Sequence, residues 1–383
     1  MQNFRGTYIN KNRDAWVEIN LSNLENNVTR IKKFLKEHNE KEPDLFAVVK
    51  ADGYGHGSIM CAPTLIACGV NEFGVASIDE GIELRENKIN IPTLVLGASP
   101  LWAFENAIKY DIAISIFNDE HLDMAHQLYQ RLNKKLKAHI KIDTGMNRIG
   151  INWADAKEYI KKVLNSDYID LKGVFTHFAD VENANIFNEQ IQKFNFAIED
   201  FKDEFQKRNI KIHCLNSPAM FKYTDYSYDM VRMGVIMWGL SPYSYSENDI
   251  DNMLPVMGLK ARVVNIHTLK KGEGISYGHT YIAQKDTKVI TLPIGYADGV
   301  ARSLSGKITA TLNGKPIKQI GRITMDQMMF EANDVDCAIG DIVTLIGEEN
   351  KYDNIDSWAK KLNTINYELT CRLKMRLPRI YVR

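Results

Sequence analysis

The sequence predicts an α/β protein: an N-terminal (β/α)8 barrel of the TIM type followed by a C-terminal, mainly β domain. Three observations carry this. Strand-like apolar runs occur eight times in the first two thirds of the chain, most of them separated by helical patterns. Repeated βα units give a parallel sheet, and eight of them close it into a barrel. No glycine fingerprint follows the first unit, as an open dinucleotide-binding sheet would require. Beyond about residue 242 the runs continue without long helices between them, so the domains are expected at 1–250 and 251–383.

A chain of 383 residues holds two domains and a sizeable core. Lys+Arg and Asp+Glu both number 48, which gives no reason to expect a nucleic acid or an anionic membrane as partner. No apolar stretch approaches the roughly 20 residues of a spanning helix. Residues 1–7 lack the apolar run of a secretory signal. The five cysteines include no Cys-x-x-Cys pair, so reduced thiols in a cytoplasm are expected, with no disulfides and no metal site.

Taken in order, residues 16–21 alternate as a short strand. Ser22 with Glu25 reads as a capping box, and the helix behind it carries Leu24, Val28, Ile31 and Leu35 on one face. The run 45–49 is apolar, rich in β-branched residues and bounded by Pro43, as a strand buried on both faces would be. Further strands are expected at 73–77, 93–97, 112–117, 138–142, 173–177, 211–215 and 228–232. Between them lie helices such as 119–132, with Leu122, Ala125, Leu128 and Leu132 on one stripe. The second domain shows strands at 263–266, 288–292, 307–320 and 341–346, a type I′ hairpin signal at Asn313-Gly314, and a helix at 355–362.

Barrel chemistry sits where strands end at their carboxyl side. The first strand ends on Lys50, followed by three glycines in the five residues 53–57. A lysine there is partly desolvated, which lowers its pKa and makes it a nucleophile toward carbonyls. The other ends carry Lys141 and Arg148, His177, Asn216-Ser217, and Arg232-Met233-Gly234-Val235. Ser217, Gly234 and Val235 follow the last two strands, where barrels bind phosphate with hydroxyl and backbone N–H groups. Each alone reads as an ordinary turn, and His177 alone as a satisfied core histidine; their shared rim favours a site.

The segment Ala47-Val48-Val49-Lys50-Ala51-Asp52-Gly53-Tyr54-Gly55-His56-Gly57 closely resembles the cofactor-lysine motif of alanine racemases, enzymes that use pyridoxal 5'-phosphate. Asn216-Ser217, Val231–Gly234, Gly274–Gly278, Gly321–Gln327 and Ile365–Glu368 match the family in turn, so the resemblance runs from about Trp16 to Arg379. It implies Lys50 as the lysine that forms the Schiff base and as one proton-transfer base. Tyr54, Ser217, Gly234, Val235 and Tyr367 become cofactor ligands, chiefly of the phosphate. Arg232 becomes the partner of the pyridine nitrogen, with His177 donating to it. An arginine can only donate, so it leaves that nitrogen largely unprotonated.

The resemblance further implies Tyr277 as the second base, supplied by the partner subunit of a homodimer with shared active sites. Arg148, Met325 and Asp326 become substrate-binding residues. Lys141 matches a lysine that some members carry carbamylated, and Asn147 stands where glycine is common. The function implied is interconversion of L- and D-alanine for peptidoglycan. Three alternatives remain open. A broader serine or lysine racemase is opposed by Tyr367, which obstructs larger side chains. A decarboxylase on the same two-domain plan is opposed by Arg232. A non-enzymatic cofactor-binding protein would need neither the second domain nor Tyr277.

Overall fold

The structure is a computed structural model that describes residues 12–241 and 253–383. The expected domain junction at 250/251 lies outside the described residues.

Eight parallel strands form the first domain: Asp44–Val48, Glu72–Val75, Thr93–Val95, Ala113–Ile116, Leu136–Asp143, Ile169–Phe175, Lys211–His213 and Met230–Met233. The first seven pair in sequence in parallel register, and Met230–Met233 returns to pair with Asp44–Val48. Closure between the seventh and eighth strands rests on Asp229 N donating to Ile212 O and Arg232 N to Leu215 O, both 3.1 Å. The apolar runs are therefore barrel strands because both faces are covered: helices outside, packed side chains inside.

Side chains two apart on a strand share a face. Phe46, Val48, Leu94, Ala113, Phe175 and Met230 form a small cluster of their own, apart from the main core. Lys50 lies two residues past Val48, just beyond the end of the strand. His139, Lys141, His213 and Arg232 are also buried. Gly173 makes room among them: a Cβ at that position would stand 2.5 Å from His139 Nδ1.

The second domain is a nine-stranded sheet, and its composition corrects the linear reading of the chain. The first strand of the protein, Ala15–Asn20, lies in this sheet and not in the barrel. It runs antiparallel to Met257–Arg262 and parallel to the last strand, Arg379–Val382. Helix Leu21–His38 buries Leu24, Val28, Ile31 and Leu35 as expected. Its cap is Asn20, whose side-chain oxygen accepts from Asn23 N at 3.0 Å; Ser22 lies inside the first turn, so no Ser22–Glu25 capping box forms. The 307–320 run is the hairpin Thr309–Leu312/Lys315–Ile320, turned by Asn313 and Gly314 at φ 48° and 76°. The 263–266 run is split, because residues 263–264 form the step between Met257–Arg262 and Asn265–Leu269.

Candidate active site

A cavity of about 600 Å³ opens at the carboxyl ends of the barrel strands. Lys50, Tyr54, Lys141, Arg148, His177, Ser217, Arg232, Gly234, Val235 and Tyr367 all line it. Ten residues scattered over 318 positions of sequence are thus brought to one site, and nine of the ten sit on a barrel strand or in the segment that follows one, Tyr367 being the exception.

The chain reaches the site through an unusual turn. Straight after Lys50, residues Ala51, Asp52 and Gly53 take φ/ψ of 53°/49°, 52°/50° and 61°/44°, and Tyr54 has φ 55°. This is a left-handed turn, which costs an L-residue roughly 1–2 kcal/mol at each position. It is held by Gly53 N to Val49 O (2.8 Å), Gly57 N to Asp52 O (2.8 Å) and Ser58 N to Asp52 Oδ1 (2.8 Å). Gly55 is needed for close approach: a Cβ there would lie 2.5 Å from the Thr370 carbonyl oxygen.

Lys50 Nζ makes no hydrogen bond or ion pair among the described residues. Burial lowers its pKa, the Arg148 guanidinium adds to this, and Glu80 and Cys371 oppose it. Lys141 is buried, and burial first, then Arg148 and Arg232, pull its amine down to about 7. It lies over the Phe175 ring at 5.4 Å, with no carboxylate bonded to it among the described residues.

Arg232 is almost wholly committed. Its Nη1 donates to His213 Nδ1 (2.9 Å) and His213 O (3.2 Å), and its Nη2 to Thr176 O (2.8 Å) and Cys214 O (2.7 Å). That leaves Nε–H as the donor not used by the described residues. A guanidinium has no acceptor, so no histidine can donate to it. The expected His177–Arg232 hydrogen bond is therefore corrected twice: the histidine bonded to Arg232 is His213, and it accepts. His177 lines the cavity, and burial and then Arg232 hold its imidazole neutral, well below the usual range.

The acceptor role of His213 Nδ1 fixes the tautomers beyond it. His213 Nε2 must carry its hydrogen and donate to His139 Nδ1 at 3.0 Å. His139 Nε2 then points its hydrogen at Glu72 Oε1, 3.5 Å away. Burial holds His139 near 3 and lifts Glu72 to about 8, so this is a contact between neutral groups and not an ion pair. Sequence reasoning missed His213, His139 and Glu72. A signal was available for His213: on the expected strand 211–215 it sits on the face opposite Ile212 and Cys214, a polar side chain inside a buried strand.

Gly234, Ser217 and Tyr54 converge on one corner. Gly234 N donates to Ser217 Oγ at 2.8 Å. A Cβ on Gly234 would stand 3.2 Å from Tyr54 Oη and 3.4 Å from Ser217 Oγ, so glycine keeps this hydroxyl-lined corner open. The Tyr54 and Tyr367 rings meet edge to face at 6.4 Å. The arrangement fits a phosphorylated aromatic aldehyde: an unpaired amine, a small-residue corner with hydroxyls, and a spare Nε–H on a buried arginine.

Tyr277, Met325 and Asp326 do not line the cavity. They lie on the second domain, where Ser276 Oγ donates to Arg322 O (2.7 Å) and Ala297 N to Met325 O (3.0 Å). Tyr277 is 70% exposed and Met325 53%. Asp326 Oδ1 accepts from Arg376 Nη2 at 2.5 Å.

Comparison with known proteins agrees with this geometry. Residues 19–242 match the family described as alanine racemase, N-terminal domain, and residues 256–381 match alanine racemase, C-terminal domain. The chain is 39% identical over 376 residues to alanine racemase 1 of Oceanobacillus iheyensis, covering 97% of this chain and 98% of that protein. Among solved structures, alanine racemase of Clostridium difficile 630 superposes with a TM-score of 0.88 at 36% identity, over 96% of each chain. Alanine racemase of Bacillus anthracis with bound L-Ala-P gives 0.87 at 35% identity, over 97% of this chain and 95% of that one. With both domains matched along nearly their whole length, the chain belongs to the alanine racemase family.

Proposed function

We propose that this chain interconverts L-alanine and D-alanine, using pyridoxal 5'-phosphate held on Lys50. The observation that carries the reading is the pairing of an unbonded, pKa-lowered Lys50 with the spare Nε–H of Arg232 across a cavity that also holds the Tyr54–Ser217–Gly234 corner. When bound, the cofactor supplies an aldehyde that condenses with amines and a conjugated ring that takes up charge from the substrate Cα.

The residues of this chain then divide the remaining work. Tyr54 and Ser217 offer hydroxyls to the phosphate, the Gly234 and Val235 peptides line the same corner, and Tyr367 closes it. Arg232 offers Nε–H to the ring nitrogen and cannot give up a proton, so that nitrogen stays an acceptor and less charge spreads into the ring. Return of the proton to Cα is favoured over side reactions. His177 stays neutral beside the ring. Arg148 binds the substrate carboxylate, and a carbamate on the Lys141 amine would orient Arg148.

Racemisation moves a proton off one face of Cα and onto the other, which two fixed bases achieve most simply. The Lys50 amine serves one face. Tyr277 of the partner subunit serves the other, with Met325 and Asp326 of the partner subunit beside the substrate carboxylate. The supporting observation is that all three are exposed and none lines the cavity of its own chain. Tyr367 in the cavity wall favours a methyl side chain over larger ones, against a serine or lysine racemase. The product would serve peptidoglycan synthesis in the cytoplasm; among the described residues no helix is long and apolar enough to cross a membrane.

The test is to incubate the purified protein and cofactor with L-alanine, L-serine and L-lysine and resolve the enantiomers. Rapid D-alanine with little D-serine or D-lysine is expected. Comparable D-serine or D-lysine would establish the broader racemase, and CO2 with an amine product would establish a decarboxylase.

A further inference from the structure

The left-handed turn after Lys50 has an anchor from outside itself. Glu80 opens helix Ile78–Glu86, and Ser77 Oγ accepts from Glu80 N at 3.3 Å, the first half of a capping box. In the usual box the carboxylate returns to the N–H of the capping residue. Here it does not. Glu80 Oε2 accepts from Ala76 N at 2.7 Å, and Oε1 reaches across to Ala51 N at 2.8 Å. Ala76 follows strand Glu72–Val75, and Ala51 follows Lys50 at the end of the neighbouring strand Asp44–Val48. One carboxylate thus joins the ends of two adjacent barrel strands through backbone donors, and no lysine or arginine pairs with it among the described residues.

Ala51 N belongs to the peptide that leaves Lys50. It is also the first residue of the left-handed turn, in a conformation its own side chain disfavours. Fixing that peptide fixes the backbone from which the lysine side chain departs. We propose that Glu80 is a positioning residue for Lys50: its carboxylate holds the Lys50–Ala51 peptide and thereby aims the amine into the cavity. This deepens the proposed function and rests on Lys50 carrying the cofactor. A reactive group displaced by about 1 Å loses on the order of a hundredfold in rate, so the aim matters more than the helix cap alone would suggest.

Three variants separate aim from fold. Glu80→Ala removes both acceptors. Glu80→Gln keeps one acceptor and turns an amide N–H2 toward the other donor. Ser77→Ala removes the cap of the same helix and leaves Ala51 untouched. The readouts are the dissociation constant for pyridoxal phosphate, the rate at which borohydride fixes it on Lys50 (by mass spectrometry), and Tm. Glu80→Ala is expected to weaken cofactor affinity and slow fixation about tenfold or more, through loss of the charge-assisted hydrogen bond to Ala51 N, with Glu80→Gln intermediate. Ser77→Ala should lower Tm yet stay within about twofold of the parent on both cofactor readouts. Should Glu80→Ala not fold, Glu80→Gln against Ser77→Ala carries the comparison. Cofactor binding unchanged in the Glu80 variants, or an equal loss in Ser77→Ala, would overturn the inference while the function stands. A parent protein that takes up no pyridoxal phosphate would overturn both.

Discussion

Lys50 and Arg232 line one cavity as opposite kinds of cation: one whose amine is pushed toward neutrality by burial, one that cannot lose its charge in use. Lys50→Ala should therefore abolish the visible absorbance of bound cofactor and all racemisation, while the fold persists; retained absorbance would refute the assignment. At the far end of the Arg232–His213–His139 chain, Glu72 gives a pH test. Burial, and then Asp44, raise its carboxyl to about 8 from an ordinary 4.5, against the pull of Lys211. Between those values the folded protein holds a proton that the unfolded chain has released. Stability is full below about pH 4.5 and falls as pH rises through about 8, at no more than about 1.4 kcal/mol per pH unit from this group. Glu72→Gln cannot titrate, so its Tm should fall less than the parent's between pH 5 and 8. An identical fall in both would show that Glu72 is ionised throughout. At this scale the rim residues were legible because strand ends in a barrel converge. The histidine chain was not, since nothing in a linear sequence pairs His139 with His213 across the barrel interior.

Among the elements, the turn at residues 51–57 depends most on residue identity. Gly55 combines φ 83° with a Cβ position 2.5 Å from a backbone oxygen that cannot swing away. Gly55→Ala should destabilise the protein by about 2–4 kcal/mol, combining left-handed strain with a steric shift, as denaturant unfolding would measure. A change under about 0.5 kcal/mol, the level of a neutral surface substitution, would mean the turn relaxes freely. The glycines announced a loop shaped for close approach, and the structure bears that out. That Ala51, Asp52 and Tyr54 also adopt positive φ was hidden, because those residue types rarely do so and the anchors, Glu80 and Ser58, lie outside the motif or at its edge. The placement of Ala15–Asn20 was hidden for a different reason. Its partners, Met257–Arg262 and Arg379–Val382, lie at the other end of the chain, and alternation reveals a strand but not its sheet.

Over the whole molecule, the barrel and the β domain each expose half of a proposed site. The cavity holds Lys50 and Arg232, while Tyr277 stands 70% exposed and, like Met325 and Asp326, does not line it. Eight βα units and a β-rich tail were readable because hydrophobic periodicity is local. Assembly is not local, and only the resemblance pointed to a second chain. The central claim is that an active site needs Lys50 from one subunit and Tyr277 from another. The direct measurement is complementation. Lys50→Ala and Tyr277→Phe are each expected to be inactive as pure proteins. Unfolded together in equal amounts and refolded, they should form mixed dimers in which one site regains both residues. Random pairing makes about half the dimers mixed with one good site each, so about a quarter of the parent activity should return. A mixture no more active than its components, or a Tyr277→Phe variant at parent rates, would contradict the shared two-base site.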